Sequence, residues 1–87
     1  MKIVTRKGDV VDVTIQYETL HQAKWIPIVR YDCSHGFFHR DVLLPSGGKE
    51  KEAIAIERLE DALSYAEQDL RDRWESYKQR YMRRMRQ

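Results

Sequence analysis

Over residues 59–81 the chain reads LEDALSYAEQDLRDRWESYKQRY. Leu59, Leu63, Ala66, Leu70, Trp74, Tyr77 and Tyr81 recur at intervals of four, three, four, four, three and four. That spacing lines one stripe of an amphipathic helix. No glycine or proline interrupts residues 57–87, so the helix is expected across that whole segment. Glu57, Glu60 and Asp61 gather near its start and the arginines near its end, both favourable to the helix dipole. A helix of about 28 residues runs roughly 42 Å. An eight-residue strand spans only about 27 Å, so the last turns are expected to overhang a sheet.

Upstream the period changes to two. Val11, Val13, Ile15 and Tyr17 alternate with Asp12, Thr14 and Gln16, as in a half-buried strand. Lys7-Gly8-Asp9 reads as a turn, which makes residues 2–6 the first arm of a hairpin. Residues 24–31 are β-rich, with Trp25, Ile26, Ile28, Val29 and Tyr31. Pro27 inside them donates no ladder hydrogen bond and points to an edge strand, or to an amide turned from its neighbour. Asp32 to Gly36 reads as a turn, residues 37–44 as a returning strand and Pro45-Ser46-Gly47-Gly48 as its end. Residues 52–56 are read as a short fifth strand. The fold class is therefore α+β. An antiparallel sheet of four to five strands, residues 1–56, precedes one long C-terminal helix, residues 57–87, in a single domain.

A single helix covers one face of a sheet. Residues 24–31 carry apolar side chains on both alternations, so the second face is expected to be partly apolar and to take a partner, giving a homodimer. The 87 residues suit one domain and exclude two. A single cysteine, Cys33, excludes an intrachain disulfide and a cysteine-based zinc site. No apolar run is long enough to span a bilayer, and no apolar segment follows the N-terminal charges. A cytoplasmic protein with no membrane partner is expected. No glycine-rich phosphate loop or G-x-S-x-G elbow occurs, and no cofactor or metal is implied.

Net charge is only +2, which excludes a uniformly basic nucleic-acid binder. The charge is nonetheless polarised. Residues 45–77 carry five basic and nine acidic groups, whereas residues 78–87 carry Lys78, Arg80, Arg83, Arg84 and Arg86 with no acid. With Tyr81 interleaved, this tail has the arginines that pair with phosphates and a ring that stacks on a base. Other readings are a solvated helix end, a contact with the acidic stretch of another copy, or a membrane surface. The carboxylates Glu57, Glu60, Asp61, Glu67 and Asp69 read as a solvated helix face.

The densest chemistry lies in residues 30–41, with Arg30, Tyr31, Asp32, His35, His39, Arg40 and Asp41. Metal-free RNA cleavage needs one group to deprotonate the 2′-hydroxyl, one to protonate the leaving oxygen, and cations for the transition state. Paired histidines with arginines supply those types, Tyr31 and Asp41 in support. On a regular strand His39 and Asp41 share a face and Arg40 points the other way. Arg30 and His39 converge only if the hairpin register puts them on one face. Zinc at His35 and His39 would need a tight turn, since i, i+4 along a strand separates them by roughly 13 Å. An exposed hairpin with solvated histidines is the plainest alternative. His21 is expected in a loop, solvated.

The block Trp25-Ile26-Pro27-Ile28-Val29-Arg30-Tyr31-Asp32-Cys33-Ser34-His35-Gly36-Phe37-Phe38-His39-Arg40-Asp41 resembles a W-P-V-V-R-Y-D-x-x-H-G-x-x-H-R stretch of small prokaryotic proteins. It is also similar to TumE-type toxins of toxin–antitoxin pairs, which place paired histidines on a strand before a closing helix. That resemblance implies a small RNA-acting or RNA-binding toxin, neutralised by an antitoxin-like protein partner, with His35 and His39 at the matching positions. The long basic helix departs from that pattern. The alternative is a non-catalytic nucleic-acid-binding or protein-interaction module that uses the basic C-terminal helix.

Overall fold

The computed structural model describes residues 2–7, 13–34 and 37–86. Five strands precede one helix: β1 (Lys2–Lys7), β2 (Val13–His21), β3 (Lys24–Ser34), β4 (Phe37–Leu43), β5 (Lys49–Ala53) and α1 (Leu59–Met85). The strands form one antiparallel meander in the order β1-β2-β3-β4-β5. This is the expected α+β architecture, an antiparallel sheet followed by a long C-terminal helix. Turn and hairpin expectations at residues 8–12 and 35–36 lie outside the described residues.

Register assigns every side chain to a face, because residues opposite each other across an antiparallel pair point the same way. Cys33, Tyr31 and Val29 on β3 pair with Val13, Ile15 and Tyr17 on β2. They pair with Phe38, Arg40 and Val42 on β4. These residues face α1. Ala62 and Ala66 bring the helix close to the sheet, Leu70 seats beneath it, and Tyr65 meets the Phe38 ring edge-on at 5.8 Å. Ile54 and Ile56, in the link to α1, seal the same core.

Several elements differ from expectation. Residues 49–53 form the fifth strand rather than 52–56. All five residues are exposed, as suits a charged edge that discourages further pairing. Pro27 lies in a strand that is central in the sheet order, which leaves the second of its two readings, an amide turned from a neighbour. Its Cα partner is Glu18, immediately after a register shift between Tyr17 and Glu18, and β4 pairs only from Val29 onward. The bulge and the missing neighbour accommodate its absent N–H. Strand β3 continues through Asp32 and Cys33 to Ser34 where a turn was expected, and His21 ends β2 rather than sitting in a loop.

The helix does not overhang as expected. An eleven-residue β3 spans roughly 36 Å, close to the roughly 40 Å of α1. Tyr81 packs against the core, so it is not the free stacking ring the tail was expected to offer. The uncovered face is partly apolar, as expected, with Val4 and Leu43 on it beside polar groups. Across its centre run Thr14, Gln16, Arg30, Asp32, His39 and Asp41, and the exposed Leu20 and Trp25 pair with each other at one end.

Candidate functional site

The sheet divides the residues of the 30–41 cluster between its two faces. Arg40 is opposite Tyr31 and both face α1; Arg30 is opposite Asp41, and Asp32 is opposite His39, on the uncovered face. Arg30, His39 and Asp41 are thus brought together while Tyr31 and Arg40 are held apart from them. His35 lies outside the described residues.

Beneath the helix, Arg40 and Tyr31 belong to a buried polar knot. Asp69, seven per cent exposed, accepts hydrogen bonds at Oδ2 from the Tyr31 hydroxyl, from the Tyr77 hydroxyl at 2.5 Å and from Arg40 Nη1 at 3.1 Å. Arg40 Nη1 also donates to the Tyr77 hydroxyl at 3.0 Å, and Nη2 donates to Glu52. Burial alone would raise the Asp69 pKa, but the hydrogen bonds from Tyr31, Tyr77 and Arg40 outweigh it and hold the carboxyl below its usual range. Burial, and then donation to Asp69, push the Tyr77 hydroxyl up to about 12 and move Tyr31 in the same direction. Arg40 and Asp69 are paired with each other and Arg40 also with Glu52, while Arg40 Nε is buried with no hydrogen-bond partner among the described residues; the pairings make the knot a structural fastening. Asp69 is the residue the carboxylate reading missed. It lies three residues after Ala66 and eight before Tyr77, on the buried arc, and that phase was the available signal.

The uncovered face is wetter and less committed. His39 Nε2 lies 3.8 Å from Asp32 Oδ2. Arg30 Nε donates to Gln16 Oε1 at 3.0 Å, and Gln16 Nε2 donates to Glu18 at 2.6 Å, a chain that fixes the guanidinium over β2. Val4, Arg6, Thr14, Gln16, Arg30 and Asp32 line a shallow dish of about 360 Å³. Two guanidiniums therefore border one concavity, with the imidazole–carboxylate pair beside it. Asp41 is buried, its Oδ2 3.7 Å from Lys49 Nζ, and its Oδ1 lacks a hydrogen-bond partner among the described residues. Among the described residues no group of three or more His, Cys, Asp and Glu side chains is placed to hold a metal ion. No helix is long and apolar enough to cross a membrane.

The family model of DUF7718, a domain of unknown function, matches residues 1–87. The chain belongs to that family. No curated protein and no solved structure matches it. For this DUF7718 chain, function is therefore argued from its own geometry. The residues read as a basic tail fall into two groups. Arg80, Arg83 and Arg84 line a groove toward the β4–β5 turn, while Lys78 and Arg86 flank Met82 and Met85 beside the β2–β3 turn.

Proposed function

We propose that the uncovered sheet face engages RNA and acts on its phosphodiester. The observation that carries this reading is that Arg30 and His39 project from neighbouring strands onto the same face, with Asp32 beside the imidazole. Diagonal neighbours of this kind lie about 7–8 Å apart, a separation one phosphate group can bridge.

In the reaction the 2′-oxygen attacks phosphorus as its proton passes to a base. The bond from phosphorus to the 5′-oxygen breaks, and that oxygen takes a proton from an acid. His39 serves as one of these two groups and Asp32 orients its ring. Arg30 and Arg6 hold the non-bridging oxygens as negative charge builds on them. His35 is the second imidazole of the sequence cluster and takes the other proton-transfer role. Arg40 and Tyr31, committed to Asp69, take no part. A toxin of this kind would pair with an antitoxin-like protein.

The test is cleavage of a short labelled RNA by the purified protein, alongside growth on induced expression. His39→Ala should abolish cleavage and relieve growth arrest, and Arg30→Ala should reduce both, with circular dichroism unchanged. Cleavage that survives His39→Ala with wild-type kcat overturns the reading.

A further inference from the structure

The groove between α1 and the β4–β5 turn measures about 660 Å³, and Arg80, Arg83 and Arg84 line it together with Ser46 and Ser76. Helical spacing puts Ser76, Arg80, Arg83 and Arg84 on one side of α1. Within reach of these arginines a single carboxylate is bound twice. Glu50 Oε2 accepts from Arg80 Nη2 at 2.6 Å, and Glu50 Oε1 lies 3.2 Å from Arg84 Nη2. Each oxygen thus meets its own guanidinium, the arrangement in which two arginines grip two non-bridging oxygens of a phosphate. All three side chains are between 37 and 45 per cent exposed, so water competes with the pairing and the carboxylate is easily displaced. Arg83 lines the same groove and has no ion pair among the described residues.

From this geometry we infer that the Arg80–Arg83–Arg84 groove is a second, non-catalytic binding site for the phosphate backbone of a single nucleic-acid strand, with Glu50 of the adjoining cleft pairing Arg80 and Arg84 until a phosphate displaces the carboxylate. The inference deepens the RNA reading and rests on it only for the identity of the strand. A route between the two sites runs around the β5 edge. Lys51 is the cross-strand partner of Asp41 on the uncovered face, and it also borders the cleft that contains Arg80 and Tyr77. A strand held at Arg30 and His39 can turn over that edge and reach the groove.

The experiment is fluorescence anisotropy on the full chain with a labelled ten-nucleotide RNA and the DNA of the same sequence, across a salt series. Glu50→Gln removes the competing charge and keeps the shape. It should tighten binding by about fivefold, the worth of two half-exposed ion pairs. Arg83→Ala breaks no described contact. It should weaken binding and lower the slope of log K against log salt by about 0.7, one contact to a single strand. It should also raise KM for cleavage with kcat unchanged. Equal affinity for the DNA marks a general backbone site, and preference for the RNA marks an extension of the sheet site. Affinity and salt slope unmoved by both Glu50→Gln and Arg83→Ala overturn the inference, whatever the cleavage result. Loss of cleavage as a property, with both variants shifting affinity as stated, overturns the sheet-face reading and leaves the groove standing.

Discussion

Arg30 and Arg40 sit on neighbouring strands of one sheet, each opposite a side chain that can accept a hydrogen bond, yet they meet different surroundings. Arg40 faces α1, is eight per cent exposed, and is bound by Asp69, Tyr77 and Glu52. Arg30 faces water and touches a neutral amide. Burial favours charges that are paired, and the Nη atoms and oxygens committed to that pairing are not free to hold a ligand. Exposure imposes no such pairing, so the groups on the uncovered face keep their capacity for one. The same contrast separates Tyr31 and Asp69 from His39 and Asp32. Chemistry in this fold belongs where the helix is absent, and the covered face turns the same residue types into a fastening.

The sharpest way to break that contrast is to remove Asp69. Asp69→Ala leaves Arg40 with Glu52 as its one carboxylate partner and two buried hydroxyls without their acceptor, and should lower the unfolding free energy by about 3–5 kcal/mol. For a domain of this size that is enough to leave much of the chain unfolded. On the other face, His39→Ala and Arg30→Ala should each change stability by less than about 1 kcal/mol, since neither closes a buried network. Urea midpoints of the three variants check the pair of claims. A loss below about 1 kcal/mol for Asp69→Ala would mean that the knot is wet and the two faces are alike.

A pH titration of stability sharpens the same point. The hydrogen bonds hold the folded Asp69 pKa below its unfolded value. Its contribution is therefore complete above the unfolded pKa of about 4 and is lost as pH falls through the folded one. For Tyr77 the folded pKa is raised, to about 12. Its contribution is present below the unfolded value of about 10 and fades as pH rises toward the folded one. The urea midpoint should accordingly hold a plateau between these limits. Asp69→Asn should flatten the acid limb, and Tyr77→Phe the alkaline limb, relative to each variant's own plateau. Phenolate absorbance should show Tyr31 and Tyr77 titrating above the ordinary tyrosine range. Limbs unchanged in both variants would place the pH dependence outside the knot.

How far the sequence made this visible varied with the strength of each local signal. The helix was legible because seven apolar positions repeat without a breaker, the strand Val13–His21 because Val13, Ile15 and Tyr17 alternate with polar residues, and Phe37–Leu43 because turn residues and Pro45 bracket it. Residues 49–53 carry only lysine, glutamate and alanine, so an edge strand wet on both sides offers no periodicity to read. Pro27 left both of its readings open because a bulge is a property of two strands in register, and a single strand does not reveal its partner's irregularity. The cluster at residues 30–41 was visible as composition, but its division between faces depended on pairing register. Asp69 was concealed by the carboxylates around it, although its phase with Ala62, Ala66 and Tyr77 marked it as inward-facing.

The smallest effect tests whether the two faces belong to one cooperative unit. The β2–β3 hairpin closes at the His21–Lys24 pair through Gln22 and Ala23, with φ of 51° and 63°. Positive φ at both central residues defines a turn that suits Asn-Gly, because asparagine tolerates the left-handed region and glycine has no Cβ to clash there. Alanine in that conformation costs about 1 kcal/mol. Replacing the pair by Gln22→Asn and Ala23→Gly should therefore raise stability by about 1 kcal/mol with the denaturant m-value unchanged. The turn is distant from Asp69, so this gain should add to the loss in Asp69→Ala if both faces unfold together. Amide exchange then discriminates. A gain shared by β2, β3, β4 and α1 makes the sheet and helix a single unit, in which the knot supports the uncovered face directly. Slower exchange confined to the hairpin makes the uncovered face stable in its own right, and substitutions at His39 and Arg30 then report chemistry undisturbed by the fastening beneath them.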